Sequence, residues 1–262
     1  MPQTRELANS IAVVTGSSRG IGRQIAVELA SAGASVVVHA GQDARAAAET
    51  SRQVQAEGVQ SLVVVADLAH LPAHEALIEQ AWNWQGGVDI WVNNAGADVL
   101  TGEHRRQTFE ERLDRLWRVD VRAAIRLSRQ VGAKMVERGS GVILNIGWDG
   151  AERGMAGETA ELFAAAKGAV MAFTRSLAQS LAPPVRVNCL ALGWIKTAWG
   201  ESTSEYWQQR ARRESLVGRW GEPSDVAQAA RFLVSPAAAF ITGQVIPVNG
   251  GFRNSTGQGE RR

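Results

Sequence analysis

The stretch that most narrows what this chain can become is Thr15-Gly16-Ser17-Ser18-Arg19-Gly20-Ile21-Gly22. It follows an apolar run, Ile11 to Val14, and leads into a segment where Ile21, Ile25 and Leu29 recur at helical spacing. That order reads as strand, glycine-rich turn and helix N-terminus. Glycine gives such a turn positive φ and lets backbone approach a ligand closely. The first N–H groups of a helix have no partner inside it, and the helix dipole favours negative charge at that end. The turn is therefore suited to a pyrophosphate. Glycine spacing alone would also fit an ordinary β–α connection; the strand before it, the helix after it and the pattern downstream argue for the dinucleotide-binding kind.

Further apolar runs at 34–39, 61–66, 88–93, 141–146, 185–191 and 244–248 alternate with helical stretches at 44–56, 72–84, 106–137, 157–181 and 223–233. Strands alternating with helices predict parallel strands, right-handed crossovers and helices on both faces of the sheet. The expected fold is α/β: a Rossmann-type doubly wound parallel sheet of about seven strands, in a single domain spanning 1–262. Residues 192–218 read as an irregular lobe rich in tryptophan, and 253–262 as a loose tail. Ligands of such sheets bind beyond the carboxyl ends of the strands, where the strand order reverses. Those ends carry Gly16, His39, Asp67, Asn94, Gly147-Trp148 and Gly193-Trp194. Asp67 there can accept a hydrogen bond from an adenine amino group, or simply cap a helix.

Composition excludes several classes of function. A net charge of +2 with no basic block beyond Arg210-Ala211-Arg212-Arg213 and the chain end argues against nucleic acid. No apolar run approaches the roughly 20 residues of a membrane span, and the first residues lack the apolar core of a signal peptide. Cys189 is the only cysteine, so no internal disulfide can form. A reducing, cytoplasmic setting is expected. Cys189 lies inside the strand-like run 185–190 and reads as a packing residue.

With these residues in place the chain resembles the classical short-chain dehydrogenase/reductase family over almost its full length, Ile11 to Phe252. Thr15 to Gly22 matches the family's TGxxxGIG, Asp67 its adenine-contacting aspartate, and Asn93 to Gly96 its NNAG. Gly218 to Pro223 and Ile241-Thr242-Gly243-Gln244, running on to Gly250-Gly251, match its C-terminal signatures. The resemblance implies a nicotinamide dinucleotide held by Gly16, Ser18, Arg19, Gly20, Ile21, Gly22, Asp67, Leu68, Asn94, Ala95, Gly96, Lys167, Ile195 and Thr197. It also implies a homo-oligomer, tetramer or dimer, packed through the two long helices. The second strand ends His39-Ala40-Gly41-Gln42, with no acid for a ribose 2′-OH until Asp43. Arg19 in the phosphate turn suits a 2′-phosphate, so NADP is favoured over NAD, although Arg19 could also simply be exposed beside the turn.

The catalytic positions depart from the pattern. The family carries Tyr-x-x-x-Lys on the helix after the fifth strand, a serine just after that strand and an asparagine on the preceding helix. Residues four apart share a helix face, so the lysine can lower the tyrosine pKa and hold the nicotinamide ribose while the tyrosine exchanges a proton with the substrate. Here Lys167 is kept, but Phe163 stands four residues before it, and the only tyrosine of the chain is Tyr206. Trp148 occupies the serine position and Asp120 the asparagine position; Leu192-Gly193 replaces the usual Pro-Gly. The cofactor half of the site is expected intact and the proton-transfer half altered. Each of Asp120 and Lys167 would be costly to bury alone, so the two are expected to pair across the cleft floor, unless Asp120 turns to solvent.

Three functions fit. The first is hydride transfer with a relocated acid, the candidates being Asp149, Glu152, Glu158, Glu161 and Tyr206, with Asp149 foremost. A carboxyl in an apolar pocket can act as general acid; Asp149 also reads as a loop-turn aspartate. The second is a lyase, isomerase or cyclase reusing the pocket, and the third a catalytically inactive subunit that binds cofactor and an active partner. Trp194, Trp199, Tyr206 and Trp207 in the lobe, beside Trp148, suit lid packing or a pocket for an apolar or aromatic small molecule.

Overall fold

The computed structural model of the chain describes residues 5–253; the tail beyond, and the side chains of Ala198 and Trp199, lie outside the described residues. Seven parallel strands form one sheet: β1 (Ile11–Val14), β2 (Ser35–Ala40), β3 (Ser61–Val65), β4 (Ile90–Asn93), β5 (Gly141–Trp148), β6 (Val185–Leu192) and β7 (Val245–Val248). Their spatial order is β3-β2-β1-β4-β5-β6-β7, so the winding reverses between β1 and β4. The strands are Val- and Ile-rich because both sheet faces are covered. Alternation sorts their side chains accordingly: Ala12, Val14, Val36 and Val38 enter one core, Ile11, Val13 and Val37 the other.

The helices are α1 (Gly20–Ser31), α2 (Ala44–Ala56), α3 (Leu71–Trp84), α4 (Phe109–Leu116), α5 (Ala123–Arg138), α6 (Gly150–Arg153), α7 (Glu158–Leu181), α8 (Ala198–Ser202), α9 (Glu205–Glu214) and α10 (Pro223–Val234). Helices α1, α2 and α10 supply Ile25, Leu29, Val54, Val226 and Leu233 to the first core. Helices α3, α5 and α7 supply Leu77, Leu127, Met135 and Leu177 to the second. The doubly wound arrangement expected from the alternation is thus the one observed.

Two expectations need correction. The helix expected over 106–137 is interrupted. A 3₁₀ turn covers Gly102–Arg106, and α4 starts only after Thr108, where Thr108 and Glu111 cap each other reciprocally. A wide π turn, Trp117–Arg122, then separates α4 from α5. It carries Asp120, buried at 3% exposure; such turns insert a residue into an otherwise helical run and re-aim a side chain. The lobe expected to be irregular contains α8 and α9. Residues 205–214 are mostly good helix formers, with Glu205 in the first turn, Arg212 and Arg213 in the last, and an Arg210–Glu214 pair at i,i+4. Tryptophan content had masked that pattern. In addition β5 runs two residues further than expected, to Trp148, and the short α6 follows it.

Candidate active site

At the carboxyl end of β1 the chain turns through Gly16, at φ +64°, into α1. A Cβ on Gly16 would lie 2.8 Å from Ala95 Cα, and one on Gly22 would collide with the Gly16 carbonyl and the Asn94 amide. The turn can therefore close against β4 only without side chains. Asn94 Nδ2 donates to the carbonyls of Thr15 (2.9 Å) and Gly16 (3.1 Å), while Thr15 Oγ1 accepts from the N–H groups of Asn94 and Ala95, both at 3.0 Å. Asn94 and Ala95 thus brace the turn across the switch point between β1 and β4.

His39 braces it from the other side. Its Nδ1 accepts from Gly16 N–H at 3.0 Å and its Nε2 donates to the Ala66 carbonyl at 2.8 Å. That geometry requires the neutral ring. Burial pushes the imidazole pKa down to about 4, against the opposing pull of the Ala66 carbonyl and Asp67. Ser17 Oγ accepts from His39 N–H as well, at 3.0 Å. The sequence marked His39 only as a strand end; a single histidine closing a valine-rich strand was the available signal.

Arg19 is the N-cap of α1, in extended backbone, with no side-chain capping bond. Gly20 has open space where a Cβ would project. The first-turn N–H groups and the space before them suit an anionic ligand. The Arg19 guanidinium is exposed, 3.5 Å from Asp43, whose other oxygen caps α2 through Ala46 N–H. Asp67, at the end of β3, accepts from Ala69 N–H at 3.0 Å and from Gln42 Nε2 at 3.4 Å, and Leu68 behind it is buried. Ile195 bridges to Gly221, and half-buried Thr197 stands at the N-cap position of α8 in extended backbone, with no side-chain capping bond. These residues surround the ends of β1 to β4 and β6.

The floor of the cleft is polar and paired. Lys167 Nζ, on α7, lies 2.8 Å from Asp120 Oδ2, and Asp120 Oδ1 accepts from Ala97 N–H at 2.7 Å. The π turn delivers this carboxylate to the ammonium beside Gly96. Below, a buried ladder runs Trp91 Nε1 to Asn93 Oδ1, Asn93 Nδ2 to Asn145 Oδ1, Asn145 Nδ2 to Thr174 Oγ1, and Thr174 Oγ1 to the Val170 carbonyl, every bond 2.8–2.9 Å. Cys189 sits beneath as a neutral packing residue, its thiol pushed up to about 12 by burial.

One helical turn before Lys167, the Phe163 ring meets the Trp148 indole edge to face, centroids 6.5 Å apart. The indole folds over Gly150, which has no room for a side chain. Three of the four carboxylates singled out from the sequence are engaged by arginines. Asp149 is held by Arg153 at 2.6 Å and by Asn249 Nδ2 at 2.9 Å. Glu152 pairs with Arg175 at 3.1 Å, and Glu158 with the buried Arg112. Glu161 is exposed on α7. Tyr206 is 57% exposed and rests edge to face on Trp207. Trp207 and Trp220 each pack on Trp194, and the Arg210 guanidinium stacks over Trp194 and Trp207. Arg153 also lies 3.4 Å from the Phe252 ring centroid, tying α6 to the C-terminal segment. Neither Arg153, Asn249 nor the Asn93–Asn145–Thr174 ladder was legible in the sequence, because each depends on tertiary neighbours.

A family profile described as enoyl-(acyl carrier protein) reductase matches residues 16–253. The chain is 35% identical over 250 residues to the 3-oxoacyl-[acyl-carrier-protein] reductase FabG of Aquifex aeolicus (strain VF5), covering 94% of this chain and 98% of that one. It is 35% identical over 253 residues to dehydrogenase/reductase SDR family member 4 of Sus scrofa, covering 94% and 88%. Among solved structures, a 7α-hydroxysteroid dehydrogenase complexed with NADH and 7-oxo glycochenodeoxycholic acid superposes with a TM-score of 0.86 at 33% identity, over 95% of this chain and 96% of that one. With its sheet order, glycine turn and these matches across nearly every residue, the chain belongs to the short-chain dehydrogenase/reductase family.

Proposed function

We propose that this protein is an oxidoreductase that binds a nicotinamide dinucleotide along the Thr15–Gly22 turn. In this reading it exchanges hydride with an apolar small molecule at a site whose usual proton-transfer residues have been replaced. The fit of the cofactor rests on the turn: glycine at the closest approaches, unpaired first-turn N–H groups, and open space beside Gly20. Asp67 and Leu68 would hold the adenine end, Arg19 a ribose 2′-phosphate, and Lys167, Ile195 and Thr197 the nicotinamide end. When bound, the nicotinamide supplies or accepts the hydride. NADP is the preferred form, on Arg19, although Asp43 at 3.5 Å partly occupies that charge.

The observation that carries the altered chemistry is the Lys167–Asp120 pair with the Phe163–Trp148 ring pair one turn away. Held by a carboxylate, with phenyl and indole at the positions where the family carries hydroxyls, Lys167 has no hydroxyl at either position whose proton it could tune. Asp120 takes over the anchoring of Lys167, with Ala97 N–H fixing the carboxylate. Asp149 and Glu158 are tied up by arginines, which disfavours them as relocated acids. The Phe163 and Trp148 rings favour an apolar or aromatic substrate beside Lys167.

The test is a pair of measurements on the full chain. NADPH and NADH are titrated by their fluorescence, and the double variant Phe163→Tyr/Trp148→Ser is assayed with a panel of ketones. Dinucleotide uptake, with ketone reduction appearing only in the double variant, is the expected result. Absence of uptake refutes the cofactor assignment. Ketone reduction by the unaltered chain at the rate of the variant refutes the altered active site.

A further inference from the structure

The kind of bond this site reduces follows from what surrounds Lys167. Hydride transfer to a neutral carbonyl separates charge: an alkoxide forms while the nicotinamide ring becomes cationic, so a donor at oxygen is needed. The side chains at the two positions where the family carries hydroxyls do not offer one. Phe163 and Trp148 present rings. The Lys167 ammonium is matched by Asp120 at 2.8 Å. Asp149, Glu152 and Glu158 are matched by Arg153, Arg175 and Arg112. Each of these charged groups already has a counter-charge beside it, and the Phe163 and Trp148 rings stand one helical turn from Lys167.

A different acceptor needs no donor. When hydride goes to a carbon that is already part of a C=N⁺ group, one positive charge merely moves from substrate to dinucleotide, and none is created. Charge movement of this kind costs little in a low-dielectric space, whereas charge separation costs a great deal. Aromatic faces also attract a flat cation. The neutralised Lys167–Asp120 pair leaves no net positive charge to repel it.

Resting on the reading of this chain as a dinucleotide-dependent oxidoreductase, we propose that its substrate class is a planar cyclic iminium ion, bound against Phe163 and Trp148 and reduced to the amine. The iminium carbon gains a C–H bond with the electron pair of the hydride. The C=N π pair becomes the lone pair on nitrogen. The two electrons come from the reduced nicotinamide dinucleotide, which leaves oxidised, and no proton is taken up.

The probe is 2-methyl-3,4-dihydroisoquinolinium, compared with its neutral carbon isostere 2-methyl-3,4-dihydronaphthalene. Calorimetry on the full chain needs no turnover, and should give about tenfold tighter binding of the cation. That preference should fall to near unity in Phe163→Leu or Trp148→Leu. With reduced dinucleotide, the iminium should be consumed at a rate that stays flat from pH 6 to 9, and 1-tetralone should not react. Equal affinity for cation and isostere in the unaltered chain, or reduction of 1-tetralone as fast as the iminium, overturns the assignment. Uptake of neither NADPH nor NADH overturns the underlying oxidoreductase reading, whereas uptake without cation preference overturns the iminium assignment alone.

Discussion

Removing both members of the Lys167–Asp120 pair should be clearly less harmful than the sum of removing each alone. The Asp120 side chain is 1% exposed and the Lys167 side chain 13%, so the carboxylate cannot be rehydrated without movement and the ammonium only in part. Breaking a buried pair by deleting one partner costs about 3–5 kcal/mol, because an uncompensated charge remains in a dry site. Asp120→Asn keeps an oxygen for Ala97 N–H and removes only the charge; with Lys167 partly able to reach water, the loss should be about 2–3 kcal/mol. Asp120→Ala also orphans the Ala97 N–H and should cost at least ~1 kcal/mol more. Lys167→Met leaves the carboxylate, the drier partner, alone and should lie at the upper end, about 4–5 kcal/mol. The double variant Asp120→Asn/Lys167→Met should then be less damaging than the sum of its singles by about 2 kcal/mol or more. Urea unfolding followed by tryptophan fluorescence measures all four stabilities. Additivity within about 0.5 kcal/mol would refute the reasoning, since it would mean the two charges do not depend on one another.

Three other outcomes follow from described contacts. The imidazole of His39 has a folded pKa near 4 against 6.5 when unfolded, so the unfolded chain binds the extra proton between those values. Stability supplied by the neutral ring is thus complete above pH 6.5 and declines by up to about 3 kcal/mol as pH falls to 4; His39→Gln should flatten that acid limb in urea titrations at stepped pH, and an unchanged limb would show that His39 does not contribute. Cys189, with its thiol pushed up to about 12 inside β6, should resist iodoacetamide at pH 8 in the folded chain and react in 6 M guanidinium, as mass spectrometry would record. A methyl added by Gly22→Ala would drive into the Gly16 carbonyl and the Asn94 amide, so dinucleotide affinity read by fluorescence should fall by at least about tenfold, on the order of 1.4 kcal/mol; undiminished affinity would detach that turn from cofactor binding.

The readable part of the molecule was the part set by local pattern. Valine and isoleucine runs marked the strands to within two residues, since both sheet faces are covered and every side chain must be apolar. The glycine turn was legible because two glycines stand where a Cβ would strike Ala95, Asn94 or the Gly16 carbonyl. The pairing of Asp120 with Lys167 could be anticipated from the cost of burying either alone, but not the π turn that brings it about. That turn leaves no mark in the residue pattern of Trp117–Arg122, which reads as continuous helix. Asp149 was singled out as a free acid from its place after β5; the arginine that claims it, four residues on, sits on a helix too short to have been foreseen. Similarly, the aromatics of α9 suit a lid loop as well as a helix, which conceals the helix in the sequence.

The Asn93–Asn145 contact has a consequence for assembly of the sheet. These two residues face each other across the β4–β5 seam. Sliding one strand past the other by a single position would send one amide to the opposite side. Asn93, Asn145 and Thr174 would then sit in a dry interior with their donors and acceptors unanswered, a penalty that a seam of valines would not impose. The two amides thus work as a key between neighbouring strands, and the correct alignment is the one in which the key turns.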